Sequence, residues 1–327
     1  MKTLASFTPY AEFNQPGSSP GESTNPLVAR NRTYTRYEIR VNEPEYDAVA
    51  SAGWSEGRNL PDETHPANLP VGSIAVKAAW RLMTDADTPA IRARYYVVEN
   101  AEVVDVSASL AAGRIVCAKA DIGLVGFHIM IKTRYRPQWL WSTFEQIDNV
   151  PPAGVGDARE PDAKDAGAPY SYYDPRHPNS DLPKFGSPET RPVSVTNPPS
   201  PDPEPMQVTR RFPIHTSTMA MNRAFWALSG IRGSVWEHYM LVASQWPTAP
   251  NPPGPQNDGG FFPGLTVDRD KPSENYQSTD PATQGQENLV NTTLETYLQD
   301  GASSCMACHN VGNVRGRDFS GFLAAVR

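Results

Sequence analysis

Proline limits what this chain can fold into more than any other residue. There are 33 prolines in 327 residues, about twice the usual frequency, and each fixes φ and removes a backbone donor. Their distribution is uneven. Fourteen fall between Pro151 and Pro205, and a second Pro/Gly-rich stretch runs from Pro247 to Pro272. Long helices are excluded from these stretches, so regular structure must form between them, as short strands and helices joined by ordered loops.

Between the proline clusters the polarity alternates with a period of two. Thr35, Tyr37, Ile39 and Val41 interleave with Arg36, Glu38 and Arg40, the pattern of a half-buried strand. Ile74, Val76, Ala78, Trp80 and Leu82 share one face of residues 73–83, and residues 92–98 are rich in the Tyr and Val that suit strands. Residues 122–132 are apolar on both faces, as in a central strand covered on each side. Residues 139–147 follow as another strand, with Pro137 as punctuation, and 234–246 read as a further one. Residues 44–52 predict a short helix stopped by Gly53. A second helix is expected to be capped by Thr216 or Ser217, to carry Met221, Ala224, Phe225 and Leu228 on one face, and to end at Gly230. Val290, Leu294, Tyr297 and Leu298 predict a third, closed by Gly301. The expected fold class is α+β, an antiparallel β-sheet core with long Pro-rich loops and a small helical C-terminal segment. The expected organisation is an extended arm over 1–30, a β-rich core over 31–150, a Pro-rich wrapping loop over 151–206 and a C-terminal region over 207–327 packed on the core as one unit. In the wrapping loop Tyr170, Tyr172, Tyr173 and Phe185 are the expected aromatic anchors.

The 29 basic and 36 acidic residues leave a net charge of −7, which argues against a nucleic-acid surface. No apolar run approaches the ~18 residues needed to span a bilayer. Residues 1–16 lack the apolar core of a signal peptide. Walker, dinucleotide-binding and nucleophile-elbow motifs are also missing from the sequence.

One chemical motif stands out. Cys305-Met306-Ala307-Cys308-His309 has the C-x-x-C-H spacing of c-type heme attachment. Two thiols one helical turn apart each add to a heme vinyl group, and the adjacent histidine reaches the iron as proximal ligand. The rivals are a Cys3His zinc site that recruits Cys117 and a redox dithiol. The dithiol should follow a strand in a βαβ unit, but here the motif follows an expected helix. Cys117, in an apolar strand-like context, otherwise reads as a buried inert thiol. Heme c attachment normally takes place outside the cytoplasm, so the expected location is periplasmic or extracellular, with a signal segment removed.

Five stretches together resemble a group of bacterial cytochrome c family proteins. They are residues 72–80 (GSIAVKAAW), 137–151 (PQWLWSTFEQIDNVP), 234–247 (SVWEHYMLVASQWP), 291–299 (NTTLETYLQ) and 303–309 (SSCMACH). The resemblance implies one covalent heme in an exported protein; it implies no particular activity.

The 18 residues after His309 contain neither Met nor His, and Met306 lies between the two cysteines. A second protein ligand to iron must therefore come from upstream. His128, in the most apolar segment, is the first candidate, with Met240 and His238 as reserves; a histidine satisfied by a core partner is the bland alternative for His128. Arg210, Arg211, Arg315 and Arg317 are possible partners for heme propionates or plain solvated charges. Three functions compete. They are a mono-heme electron carrier with a redox partner protein, a heme enzyme or sensor for peroxide or a small gas, and a heme-bearing subunit of a larger redox assembly.

Overall fold

A computed structural model describes residues 2–3, 27–54, 60–62, 65, 67–114, 116–152, 169–176, 202–247, 276–278, 289–296, 299, 305, 309 and 318. Its framework is an antiparallel sheet of β1 (Lys2–Thr3), β2 (Arg36–Val41), β3 (Ile74–Leu82), β4 (Val97–Val104), β5 (Cys117–Thr133), β6 (Arg136–Gln146), β7 (Tyr239–Pro247) and β8 (Tyr276–Ser278). The order is β1-β2-β3-β5-β6-β7-β8, and β4 also pairs with β5. Ile122 and Gly123 pair with β3 and β4 at once, so β4 occupies the β5 edge opposite β3 and continues the line of β6. Four α-helices accompany the sheet in the described residues: α1 (Glu43–Ser51), α2 (Pro89–Arg92), α3 (Val106–Ala112) and α4 (Thr216–Trp226). The architecture is α+β, and no helix of the described residues is long and apolar enough to cross a membrane.

The strands expected around 35–41, 74–82 and 122–132 are present, the last extended at both ends. Others shift. Thr88-Pro89 starts a turn of helix, with Thr88 Oγ1 accepting from Ile91 N at 3.3 Å, so the strand expected at 92–98 begins only at Val97. Pro137 lies inside β6, one residue after the Thr133–Arg136 pair that closes a two-residue hairpin. Residues Val235–His238 form a 3-10 turn, and β7 starts at Tyr239. α4 is capped by the His215 ring rather than by Thr216 or Ser217, and it stops at Trp226, before Gly230. The helix expected over 290–298 is a turn in its described part, where Asn291 O accepts from Glu295 N at 2.8 Å.

A β-bulge opposite Ala79 and Trp80 resets the side-chain alternation of β5. Leu124 and Phe127 consequently face the same side, where they join Ala78, Trp80 and Tyr239 in a small cluster. The other side carries the larger core, including Tyr37, Ala79, Met83, Tyr95 and Val125. Residues assigned to the extended arm enter this core, since Leu27, Val28 and Ala29 are buried and Lys2–Thr3 pairs with β2. Residues 4–26 lie outside the described residues. Within the Pro-rich stretch Tyr172 and Tyr173 are buried as expected, and the Tyr172 hydroxyl lies 2.7 Å from Thr35 Oγ1; Phe185 lies outside the described residues. Cys117 is exposed at the start of β5. The apolar stretch that suggested burial extends past the covered part of the strand there.

The sheet also buries charge. Arg94 grips Asp148 through two hydrogen bonds of 2.6 and 2.8 Å, and Lys132 Nζ lies 2.6 Å from Asp318 Oδ2. Near that pair, α1 turns Glu45 inward. Burial, reinforced by Asp318 and opposed by Lys132, pushes the Glu45 carboxyl up to about 8. Burial likewise raises Asp318 to about 6 against the pull of Lys132. Both acids hold protons more tightly folded than unfolded, so their contribution is full below the unfolded carboxylate range and is lost as pH rises through the raised values. Unfolding free energy should therefore fall between about pH 4.5 and 8. Denaturant titrations across that window should show Glu45→Gln with a shallower decline than the parent chain.

Candidate functional site

The sheet face that carries the larger core also receives the C-terminal segment. Residues 291–293 dock on it through their own backbone and side chains. Asn291 Nδ2 donates to Thr143 Oγ1 at 2.9 Å and to Phe144 O at 2.8 Å. Thr292 donates to the fully buried Glu145 twice, from its N–H at 2.6 Å and its hydroxyl at 2.7 Å. Arg210 completes that carboxylate's shell at 2.5 Å, and the Tyr37 hydroxyl donates to Thr293 O at 3.0 Å. Gly126 makes room for the approach: a Cβ there would collide with Thr293 Oγ1 and sit 3.0 Å from Asn291 Oδ1. Asp318 is a second anchor on this face. It accepts from Leu69 N at 2.8 Å as well as from Lys132, and its carbonyl accepts from Trp139 Nε1 at 3.1 Å.

Between these anchors lie Cys305 and His309, both with helical backbone and both partly buried. The His309 ring lies 4.5 Å from the Trp141 ring, centroid to centroid, at 51°. Trp141 is buried in β6, where it pairs with Met130 of β5, and Thr143 pairs with His128. Paired residues point to the same side, so His309 packs on the sheet face that bears Met130 and His128. Cys308 lies outside the described residues, as do Met306, Arg315 and Arg317.

His128 Nε2 lies 2.6 Å from Glu295 Oε1, and its buried Nδ1 has no hydrogen-bond partner. Burial pushes the Glu295 carboxyl up, but His128, Lys77 and the Asn291 N–H outweigh it and leave the group below the usual carboxylate range. His128 is thus half-buried and paired, with one ring nitrogen committed.

Register ranks the other candidates. Met240 pairs with Glu145, four residues from Trp141, or roughly 13 Å along the strand; His128 is only two residues off, roughly 7 Å. His238 sits in the 3-10 turn before β7, so strand alternation does not place it beside Met240. Met130, directly opposite Trp141, emerges only from the register, although its place two residues from His128 on an apolar strand is legible once the pairing is known. Trp141 and Glu295 are the other residues that sequence reasoning missed. Arg210 is neither solvated nor available to a propionate, because Glu145 holds it. Arg211 is exposed, with its guanidinium 5.8 Å from the Phe212 ring.

The donor types present, a thiol at Cys305 and an imidazole at His309 resting on a buried indole, are those a c-type heme would use. They do not fit the zinc alternative. Cys117 is thirteen residues from Met130 along β5, roughly 40 Å of extended strand, and cannot join Cys305 and His309. Among the described residues no group of three or more His, Cys, Asp or Glu is arranged to hold a metal ion. No family model, curated protein or solved structure matches the chain.

Gly126→Ala should force residues 291–293 off β5. The expected loss is about 1–3 kcal/mol in denaturant unfolding, with faster amide hydrogen exchange across 289–296 than in the parent. Stability and exchange equal to the parent's would show that the segment does not depend on this close approach.

Proposed function

We propose that the chain is an exported mono-heme c-type cytochrome that transfers electrons to or from a partner protein through one covalent heme c. The observation that carries the reading is the Cys305-Met306-Ala307-Cys308-His309 motif with its histidine packed against Trp141. Cys305 and Cys308 would hold the group by thioethers, and His309 would ligate the iron from a small helical segment seated on the sheet. When bound, heme c supplies a one-electron couple between ferric and ferrous iron. Trp141 restricts the orientation of the imidazole and shields one side of it from water, which lowers the local dielectric. A periplasmic or extracellular location belongs to the same reading, since thioether attachment to this motif normally occurs there.

The second iron ligand is assigned within this proposal to the sheet face, with His128 first and Met130 beside it. His128 ligates through Nε2 only by releasing Glu295; otherwise its available nitrogen is Nδ1. Met240 and His238 remain reserves.

The His128–Glu295 pair favours a second reading, a heme enzyme or sensor for peroxide or a small gas. A carboxylate held below its usual range and hydrogen-bonded to an imidazole fixes the ring's orientation, the arrangement of a general acid–base group. In this reading His128 moves a proton at Nε2 or Nδ1 and does not bind iron.

Denaturing electrophoresis should retain heme on the polypeptide, and Cys308→Ala should largely abolish that retention; heme that extracts completely from the parent chain overturns both readings. His128→Ala separates them. Loss of a six-coordinate low-spin spectrum assigns His128 as ligand, whereas an unchanged coordination state with altered peroxide or gas binding assigns it to proton handling. An unchanged spectrum, potential and ligand affinity returns it to a core residue.

A further inference from the structure

α4 is folded with its apolar side outward. The outer edge of β7 offers unpaired backbone groups at Leu241, and Asn222 satisfies them, with Nδ2 donating to Leu241 O at 2.8 Å and Oδ1 accepting from Leu241 N at 2.7 Å. Trp226 Nε1 donates to Tyr239 O at 2.8 Å along the same edge. The helix therefore blocks an exposed sheet edge by burying Thr218, Met219 and Asn222. Met221, Ala224 and Phe225 of α4 and Leu228 in the turn that follows it are left facing away, with Met221 43%, Phe225 41% and Leu228 56% exposed.

The surroundings of the stripe are as unusual as the stripe. From Met206 to Trp236 the chain has four arginines and no aspartate or glutamate, within a protein of net charge −7. Arg210 is consumed by Glu145, and Arg211, Arg223 and Arg232 are exposed. Ten large hydrophobic side chains stand exposed among the described residues, and five of them, Phe212, Met221, Phe225, Leu228 and Trp236, fall in this stretch. A sixth, Tyr96, stacks on Trp236 with ring centroids 5.4 Å apart.

We propose that the outward face of α4, with Arg211, Arg223 and Arg232 around it, is a docking surface for an anionic lipid bilayer. An amphipathic helix with Met and Phe on its outward face, a leucine in the turn that follows and arginine as its only charge lies in the headgroup region with its apolar side in the acyl boundary. Exposed Trp and Tyr suit the same interface. The negative charge elsewhere does not forbid contact, because at a Debye length of about 8 Å the bilayer feels chiefly the groups that face it. The stripe is a convex ridge and not a groove, which suits a deformable lipid surface better than a folded partner. This proposal does not rest on the heme reading and does not require the cofactor.

The test is co-sedimentation of the full chain with vesicles of phosphatidylcholine alone and of phosphatidylcholine with about one-third phosphatidylglycerol. The expected result is binding to the anionic vesicles, little to the neutral ones, and release by high salt. Phe225→Glu with Leu228→Glu should lower partitioning at least about tenfold, and Arg223→Ser or Arg232→Ser should each lower it about fivefold. These side chains are exposed, so parent-like circular dichroism and melting are expected for every variant; a variant that melts early is replaced by Phe225→Ser, which should also weaken binding. Absence of anionic-vesicle binding overturns the proposal, as does equal binding to both vesicle types or binding unaffected by the α4 substitutions. Self-association of the parent that Phe225→Glu abolishes, without vesicle binding, overturns it in favour of a contact between copies of the chain.

Discussion

The Glu145 carboxylate is completely buried at the C-terminal end of β6, where desolvation costs several kcal/mol unless the charge is matched. Two distant parts of the chain match it. Arg210 brings the opposite charge, and the Thr292 N–H and hydroxyl fill further acceptor positions. None of these contacts is local, for Glu145 and Thr292 are 147 residues apart. The position of the C-terminal segment is therefore set by a requirement of the sheet: if residues 291–293 leave, a buried charge loses two of its donors. Burial with a full complement of partners makes such a network a stronger constraint on position than an equal area of apolar contact, because an apolar contact tolerates sliding and a carboxylate with directed donors does not.

The same logic operates at the other end of the segment. Asp318 receives Lys132 and the Leu69 N–H. His309 lies between the two anchors in sequence, and the sheet positions that serve them, Glu145 and Lys132, flank Trp141 and His128 in the register. Cys305 and His309 are consequently bracketed in sequence by residues that meet buried ion pairs of the fold. The surface on which His309 packs comes from a strand more than 150 residues upstream.

Much of this was legible. Period-two alternation located β2, β3 and the heart of β5, and the pentapeptide needed no structure. What was illegible depended on pairing. The bulge at Val125 and Gly126 puts Leu124 and Phe127 on one side, which alternation alone would separate. The aromatic residues, not the proline content, marked Tyr172 and Tyr173 as core, because proline content reports backbone restriction and not burial. The apolar stripe of α4 was legible, but its direction is not encoded in the periodicity, since the helix is oriented by Asn222 meeting the edge of β7 and not by its apolar residues. Hydrophobic periodicity predicts burial only when no stronger polar demand competes for the helix.

That competition links the two surfaces of interest. β7 pairs with β6 on one side, where Gln245 lies opposite Trp141, and accepts α4 on the other. One strand thus separates the helix from the indole on which His309 rests. Four residues along β7 and about one strand plus one helix radius across it put the anchor of α4 roughly 15–20 Å from Trp141. A bilayer docked on α4 would hold Trp141 and His309 at a short distance from the headgroups. That separation follows from backbone pairing between β6 and β7 and from the paired Asn222 bonds, so it is a property of the sheet.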